Sequence, residues 1–318
     1  NALPGNSYRF PVLLCALDAD SGEDVGPEFF DKVKRVTAEI PTISGGTGNI
    51  SCTAPDYHDA FPDTVLTSLV DFMVSYDLSS QITWTIDMEN GDTIRLRMEI
   101  EIRIIQSYDY YPEDADMETA AELQALLDRL SAELPQPAII NLHLPAVTYA
   151  GEVRMDGASF NLYGSEEDGR RTAFTGTLRI APQTDMRPSC TGIDFVGDGS
   201  GTGIVASAGR VTVEDCTLSG WETGLLADGA AWVNAVSCRF THNAVGFCFD
   251  SLDGTVSNSM FNDNLFQGNG TALLLQQVPS DLTLDFRGSR FTGNGTDIDN
   301  RCDHPLELSE AVFEQGDD

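Results

Sequence analysis

Asp228 and Asp250 are the acidic pair in this chain whose spacing could do chemistry. Each stands three residues after a large apolar residue, Leu225 and Phe247, and each of those closes a similar stretch, Cys216–Leu225 and Cys238–Phe247. If the stretches stack as successive strands about 4.8 Å apart, the two carboxyl groups become neighbours. Such a pair can share a proton, hold a calcium ion, or act as acid and nucleophile at the short separation of retaining glycoside hydrolysis. Asp228-Gly229 and Asp250-Ser251 are also ordinary turn starters, so a turn is the first reading and a site the second. Arg239, on an outward strand position between them in sequence, is the candidate base, and Arg290 holds the equivalent place two repeats later.

Three other sets of residues bear on chemistry. Trp221 and Trp232 have rings that could stack on sugar faces, although a single Trp at a turn more often serves packing. Cys216 and Cys238 occupy equivalent inward positions and read as free thiols packed like small apolar residues, not as a disulfide. Val205, Leu226, Cys248 and Leu274 form an outward apolar stripe, for which the expected cover is the N-terminal domain or another subunit.

The elements that must position these residues repeat. Cys216–Leu225, Cys238–Phe247, Asn264–Leu273 and Ser289–Ile298 align, each with a large apolar residue third and another seven positions later. A degenerate copy runs from Ile193 to Ile204, so the anchors Phe195, Leu218, Phe240, Phe266 and Phe291 are 23, 22, 26 and 25 residues apart. Units of this length, made of short strands and tight turns, bury an apolar face only by stacking on one another. Stacking predicts two interior rows, Phe195-Leu218-Phe240-Phe266-Phe291 and Ile204-Leu225-Phe247-Leu273-Ile298. It also predicts an asparagine ladder at Asn243, Asn269 and Asn294, with amides bonded along the stack and asparagine accepting the left-handed backbone of a turn. Before the repeats, Met117–Leu134 carries Ala120, Leu123, Leu127, Leu130 and Leu134 on one helical stripe, as a helix covering the first turn would.

With these repeats, and with Ile140–Gly151 and Phe160–Gly164 as first strands, the chain resembles the right-handed parallel β-helix proteins of the pectin-lyase-like superfamily over about residues 117–313. The resemblance implies an all-β right-handed parallel β-helix solenoid with an N-terminal capping helix. It does not fix an activity, because that superfamily holds lyases, polygalacturonases, phage tailspikes and modules without chemistry. A lyase would need a cation, usually calcium, and an Arg or Lys base, and the coil has no Lys. The Asn-Thr-Asp, Gly-His-Gly and Arg-Ile-Lys elements of polygalacturonase-like hydrolases are absent.

Ahead of the coil, residues 1–112 read as a smaller α+β domain, and 113–318 as the β-helix, with the polar break Tyr108–Asp116 between them. Tyr8–Leu17 reads as a strand, Phe29–Ile40 as a short helix, and Asp63 as the cap of a helix through Leu78. Alternation at Ile82, Trp84, Ile86 and then Ile94, Leu96, Met98 marks a long hairpin across Glu89-Asn90-Gly91. A three-residue loop with Gly91 left-handed would set Ile86 on Ile94 and Trp84 on Leu96.

Charge narrows the partners. The 318 residues carry 50 acids against 18 bases, a net charge of −32. That field works against nucleic acid, anionic membrane and polyuronate, and no apolar run reaches the length of a membrane helix, so membrane insertion is not expected. Together with the resemblance, these features lead to the expectation of an extracellular or cell-envelope protein that recognises a glycan or cell-surface polysaccharide, or serves as a surface scaffold. The rival expectation is a glycan-cleaving lyase or hydrolase that uses Asp228, Asp250 and Arg239, with calcium as the possible cofactor.

Overall fold

The computed structural model describes residues 7–14, 16–23, 25–39, 46–58, 61–74, 78–183, 186–252, 261–278 and 284–314; for 7–14, 26–27, 38–39, 46–58, 61–74, 78–80, 100 and 102 the backbone alone is described. The chain divides into two compact units, Asn1–Gln106 and Ser107–Asp318. The division therefore falls six residues before the expected boundary at 112, because Tyr108 and its neighbours lie on a strand, Gln106–Tyr110, that adjoins the first strand of the coil, Ala138–His143.

The first unit is built of two three-stranded antiparallel sheets. The hairpin forms in the expected register, Ile86 opposite Ile94 and Trp84 opposite Leu96, with Gly91 at φ +94°. Ile82, Trp84 and Ile86 are buried, as the alternation requires. Two expected helices are strands instead. Among the described residues of this unit only Gly26–Phe30 is helical, and Val33–Glu39 pairs with the hairpin strand Leu78–Met88. Phe61–Val74 is the central strand between Ser7–Leu14 and Gly46–His58. Leu66, Val70, Phe72 and Val74 alternate at a period of two while Leu66, Leu69, Val70, Met73 and Val74 fit one of 3.6, and β-branched and aromatic content with partners on both edges favours the sheet. The acidic turn at Asp18 closes on itself: Asp18 Oδ1 accepts from the backbone of Ser21 (2.8 Å) and Asp20 (3.0 Å) and from Ser21 Oγ (3.0 Å).

The second unit is a parallel β-helix, whose strand-to-strand crossovers take the right-handed sense general to parallel connections. One face is an eight-stranded sheet with a short strand from every turn, from Thr148–Tyr149 to Val312–Glu314. An eleven-stranded sheet wraps the remaining faces, joined by the long strands Thr202–Glu214 and Thr223–Val236. Thr202–Glu214 pairs at its start with Leu178–Ile180 and at its end with Ser189–Thr191, so it bends across two faces.

Both interior rows form as the repeat predicts. Phe195, Leu218, Phe240, Phe266 and Phe291 are successive register partners, and so are Ile204, Leu225, Phe247, Leu273 and Ile298. Phe240, Phe266, Phe291 and Phe313 stack at centroid spacings of 4.8, 4.8 and 4.9 Å, the rung spacing itself. Burying such rings supplies the main stabilisation, about 25 cal/mol for each Å² of apolar surface withdrawn from water.

The asparagine ladder also forms, with one correction. Asn269 Oδ1 accepts from the N–H (3.0 Å) and Nδ2 (3.1 Å) of Asn243, and Asn294 Oδ1 does the same for Asn269 at 2.9 and 3.0 Å. The left-handed residue is the one before each asparagine: His242 (φ +56°), Gly268 (+65°) and Gly293 (+60°). A second ladder closes the opposite turn, where Asn264 Oδ1 accepts from the Cys238 N–H (2.9 Å) and Ser289 Oγ accepts from the Asn264 N–H (3.3 Å). Cys216 and Cys238 are thus the apolar members of a polar turn position.

The capping helix is Ala120–Glu133, started by a capping box between Thr119 and Glu122. Leu123, Leu126, Leu127 and Leu130 close the apolar interior of the coil. Its Gln124 amide treats the first open strand edge as another strand would, accepting from the Arg154 N–H (2.7 Å) and donating to the Arg154 carbonyl (3.1 Å).

Candidate functional site

Asp228 and Asp250 are direct register partners on neighbouring parallel strands of the larger sheet, as the repeat spacing requires. Asp228 is exposed and Asp250 half-buried, and a bulge after Phe249 sets Gln277 opposite Asp250 on the following rung. Two residues earlier on the same outward side runs the apolar stripe. Its order is Arg179, Val205, Leu226, Cys248, Leu274, Asp299, a four-residue apolar column closed by a charge at each end. Val205, Cys248 and Leu274 are only 6, 4 and 8% exposed. Burial pushes the Cys248 thiol up, opposed by a hydrogen bond from Gln276 Nε2 to its sulfur at 3.7 Å. Asp250, Arg301 and Asp228 lie near enough to bias the same thiol. A thiol held protonated is a poor nucleophile.

Arg239 does not join them. It sits on the eight-stranded sheet, between Thr217 and Leu265 in the row that continues to Arg290. Most arginines of the coil are already neutralised: Arg171 by Asp194 (2.9 Å), Arg290 by Glu314 (2.7 Å), Arg301 by Asp299 (2.8 Å). Glu152 is shared by Arg179 (2.6 Å) and Arg154 (2.6 Å), and their guanidiniums hold its carboxyl below the usual range. Arg239 forms no ion pair among the described residues.

The tryptophans are structural. Trp221 is 5% exposed and fits against Gly197 and Gly203, where a Cβ would come within 2.6 and 3.0 Å of the indole. Trp232 is 1% exposed and meets Phe249 edge-on at 5.1 Å. Neither ring can receive a sugar. Cys190, Cys216, Cys238, Cys248 and Cys302 are free thiols, and burial raises the Cys216 thiol to about 12.

A second constellation was not found by sequence reasoning. On the first turns of the coil the imidazole of His143 lies between two tyrosines, 4.2 Å from Tyr111 at an interplanar angle of 4° and 5.2 Å from Tyr163 at 17°. His143 Nε2 is 3.3 Å from Asp109 Oδ1, which also accepts from Asn141 Nδ2 at 3.1 Å. The line continues inward along the rungs, Asn161 Nδ2 donating to Asn141 Oδ1 and Ser189 Oγ donating to Asn161 Oδ1, both at 2.9 Å. Asn141, Asn161 and Ser189 are register partners, as are His143, Tyr163 and Thr191. Tyr111 is 43% exposed, and the side chains of His143 and Asp109 are 33 and 46% exposed. This group offers an aromatic surface, a carboxylate and an imidazole to solvent in one place.

Comparison with solved structures finds the Yersinia enterocolitica family 28 exopolygalacturonase, at 8% identity, a TM-score of 0.29, and coverage of 80% of this chain and 69% of that one. No family model matches the chain, and no curated protein matches it. What the strand registers of the coil show is a parallel β-helix fold.

Proposed function

We propose that this is a β-helix protein of the cell surface or exterior that recognises carbohydrate along its outer face. The observation that supports this reading is the outward column of the eight-stranded sheet, where Ser219, Thr241, Gln267 and Thr292 follow one another in register. Hydroxyl and amide groups repeated at about 4.8 Å offer a polymer of hydroxylated residues a periodic set of hydrogen-bond partners. No helix among the described residues is long and apolar enough to cross a membrane. The test is incubation with neutral and acidic polysaccharides, with calcium and with chelator, followed by measurement of retained glycan and of new reducing or unsaturated ends. Retention without new ends supports recognition; the absence of both retention and cleavage removes this reading.

A second reading, a glycan-cleaving enzyme with Asp228 and Asp250 as its carboxylates and calcium as a candidate aid, is favoured by one observation, their direct register pairing. It requires turnover that disappears in Asp228→Asn. Among the described residues no group of three or more His, Cys, Asp or Glu side chains is arranged to hold a metal ion.

A further inference from the structure

The Tyr111–His143–Asp109 group has open valences of one kind. Asp109 is a carboxylate, an acceptor only, so a neutral His143 facing it through Nε2 must carry its proton on Nε2. Nδ1 is then an acceptor, and among the described residues it has no partner. Asp109 Oδ2 likewise has none among the described residues, since both bonds to this carboxylate fall on Oδ1. Both acceptors meet solvent, and a hydroxylated ligand can donate to either of them, whereas a sugar carboxylate brings only further acceptors and negative charge. The ring stack adds the second requirement of a sugar site. His143 covers one face of Tyr111, and at 43% exposure much of the rest of the ring meets water, which suits the C–H face of a pyranose. The amide line Asn141–Asn161–Ser189 fixes Asp109 from behind, so the acceptors are held in place before a ligand arrives. A metal ion would find too few ligands, since no group of three is present among the described residues.

We propose that Tyr111, His143 and Asp109 form a binding subsite for an uncharged pyranose residue, with Tyr111 as the stacking platform and Asp109 Oδ2 and His143 Nδ1 as acceptors for hydroxyl groups of the bound glycan. The inference rests on the carbohydrate-recognition reading and names its place and its chemical class. The experiment titrates the full chain with cellohexaose, xylohexaose, mannohexaose and hexagalacturonate, by calorimetry and by imidazole NMR. The expected result is binding of at least one neutral hexasaccharide, no binding of hexagalacturonate, and movement of the His143 ring resonances on saturation. Tyr111→Ala should weaken binding by about tenfold, whereas Tyr111→Phe should keep it. Asp109→Asn, which replaces an acceptor by an amide, should also weaken it. Unchanged affinity in Tyr111→Ala, or a His143 signal that stays still while sugar binds, overturns the subsite and leaves carbohydrate recognition standing. Preference for hexagalacturonate overturns the stated class. Binding of no glycan at all by the native chain removes both the subsite and the reading on which it rests.

Discussion

Asn269 and Asn243 are joined twice across one rung, because a single oxygen, Asn269 Oδ1, accepts from both the backbone N–H and the side-chain amide of Asn243. Asn269 Nδ2 at the same time donates to the Phe240 carbonyl at 2.8 Å. One buried side chain thus satisfies three groups that have no access to water. Asn269→Ala should cost roughly 3 kcal/mol, since the loss leaves buried donors and an acceptor unpaired. Urea unfolding followed by circular dichroism checks it, with a lower midpoint and an unchanged slope as the expected result.

Phe266 lies between Phe240 and Phe291 at 4.8 Å on each side and has no exposed surface. Phe266→Ala should destabilise by about 3–5 kcal/mol, and Phe266→Leu by less, because the neighbouring rings belong to fixed rungs and cannot close the gap. Thermal unfolding of the two variants beside the native chain measures the difference.

Gln124 caps an open sheet edge with its amide. Gln124→Ala should lower stability by about 1–2 kcal/mol and expose the backbone of Arg154 to pairing with another chain. Light scattering during mild heating should show earlier association in the variant than in the native protein.

Burial raises the thiols of Cys190, Cys216 and Cys238 above the usual 9.0, Cys216 to about 12. The folded chain therefore holds these protons more tightly than the unfolded chain does. The sign follows: their contribution is complete below pH 9, and it is lost as pH rises from 9 towards 12 while the unfolded thiols ionise first. Alkylation at pH 8 should leave all three unmodified in the native protein and modify them in denaturant without reductant. In Cys216→Ala the alkaline loss of stability should be shallower.

The coil was legible because its grammar is periodic. Phe195, Leu218, Phe240, Phe266 and Phe291 announce the rung, and the register follows from their spacing alone. The neighbouring placement of Asp228 and Asp250 was legible for the same reason, being a property of the repeat. Asp109 and Tyr111 were not, because they belong to a Tyr- and Asp-rich segment that reads as a linker, and no repeat links them to His143 more than thirty residues away. Only the strand Gln106–Tyr110, laid beside Ala138–His143, brings them together. The second ladder was hidden differently: Cys238, Asn264 and Ser289 share one turn position but not one chemistry. In Phe61–Val74 the apolar residues satisfy two periods at once, and pairing on both edges, which the sequence does not display, selects the strand.

Affinity electrophoresis of the intact protein through gels containing neutral polysaccharides tests whether the outer face of the coil recognises carbohydrate. Retardation by at least one neutral glycan, undiminished by chelator and absent with polygalacturonate, is the predicted result. Unchanged mobility in every neutral glycan would rule carbohydrate recognition out.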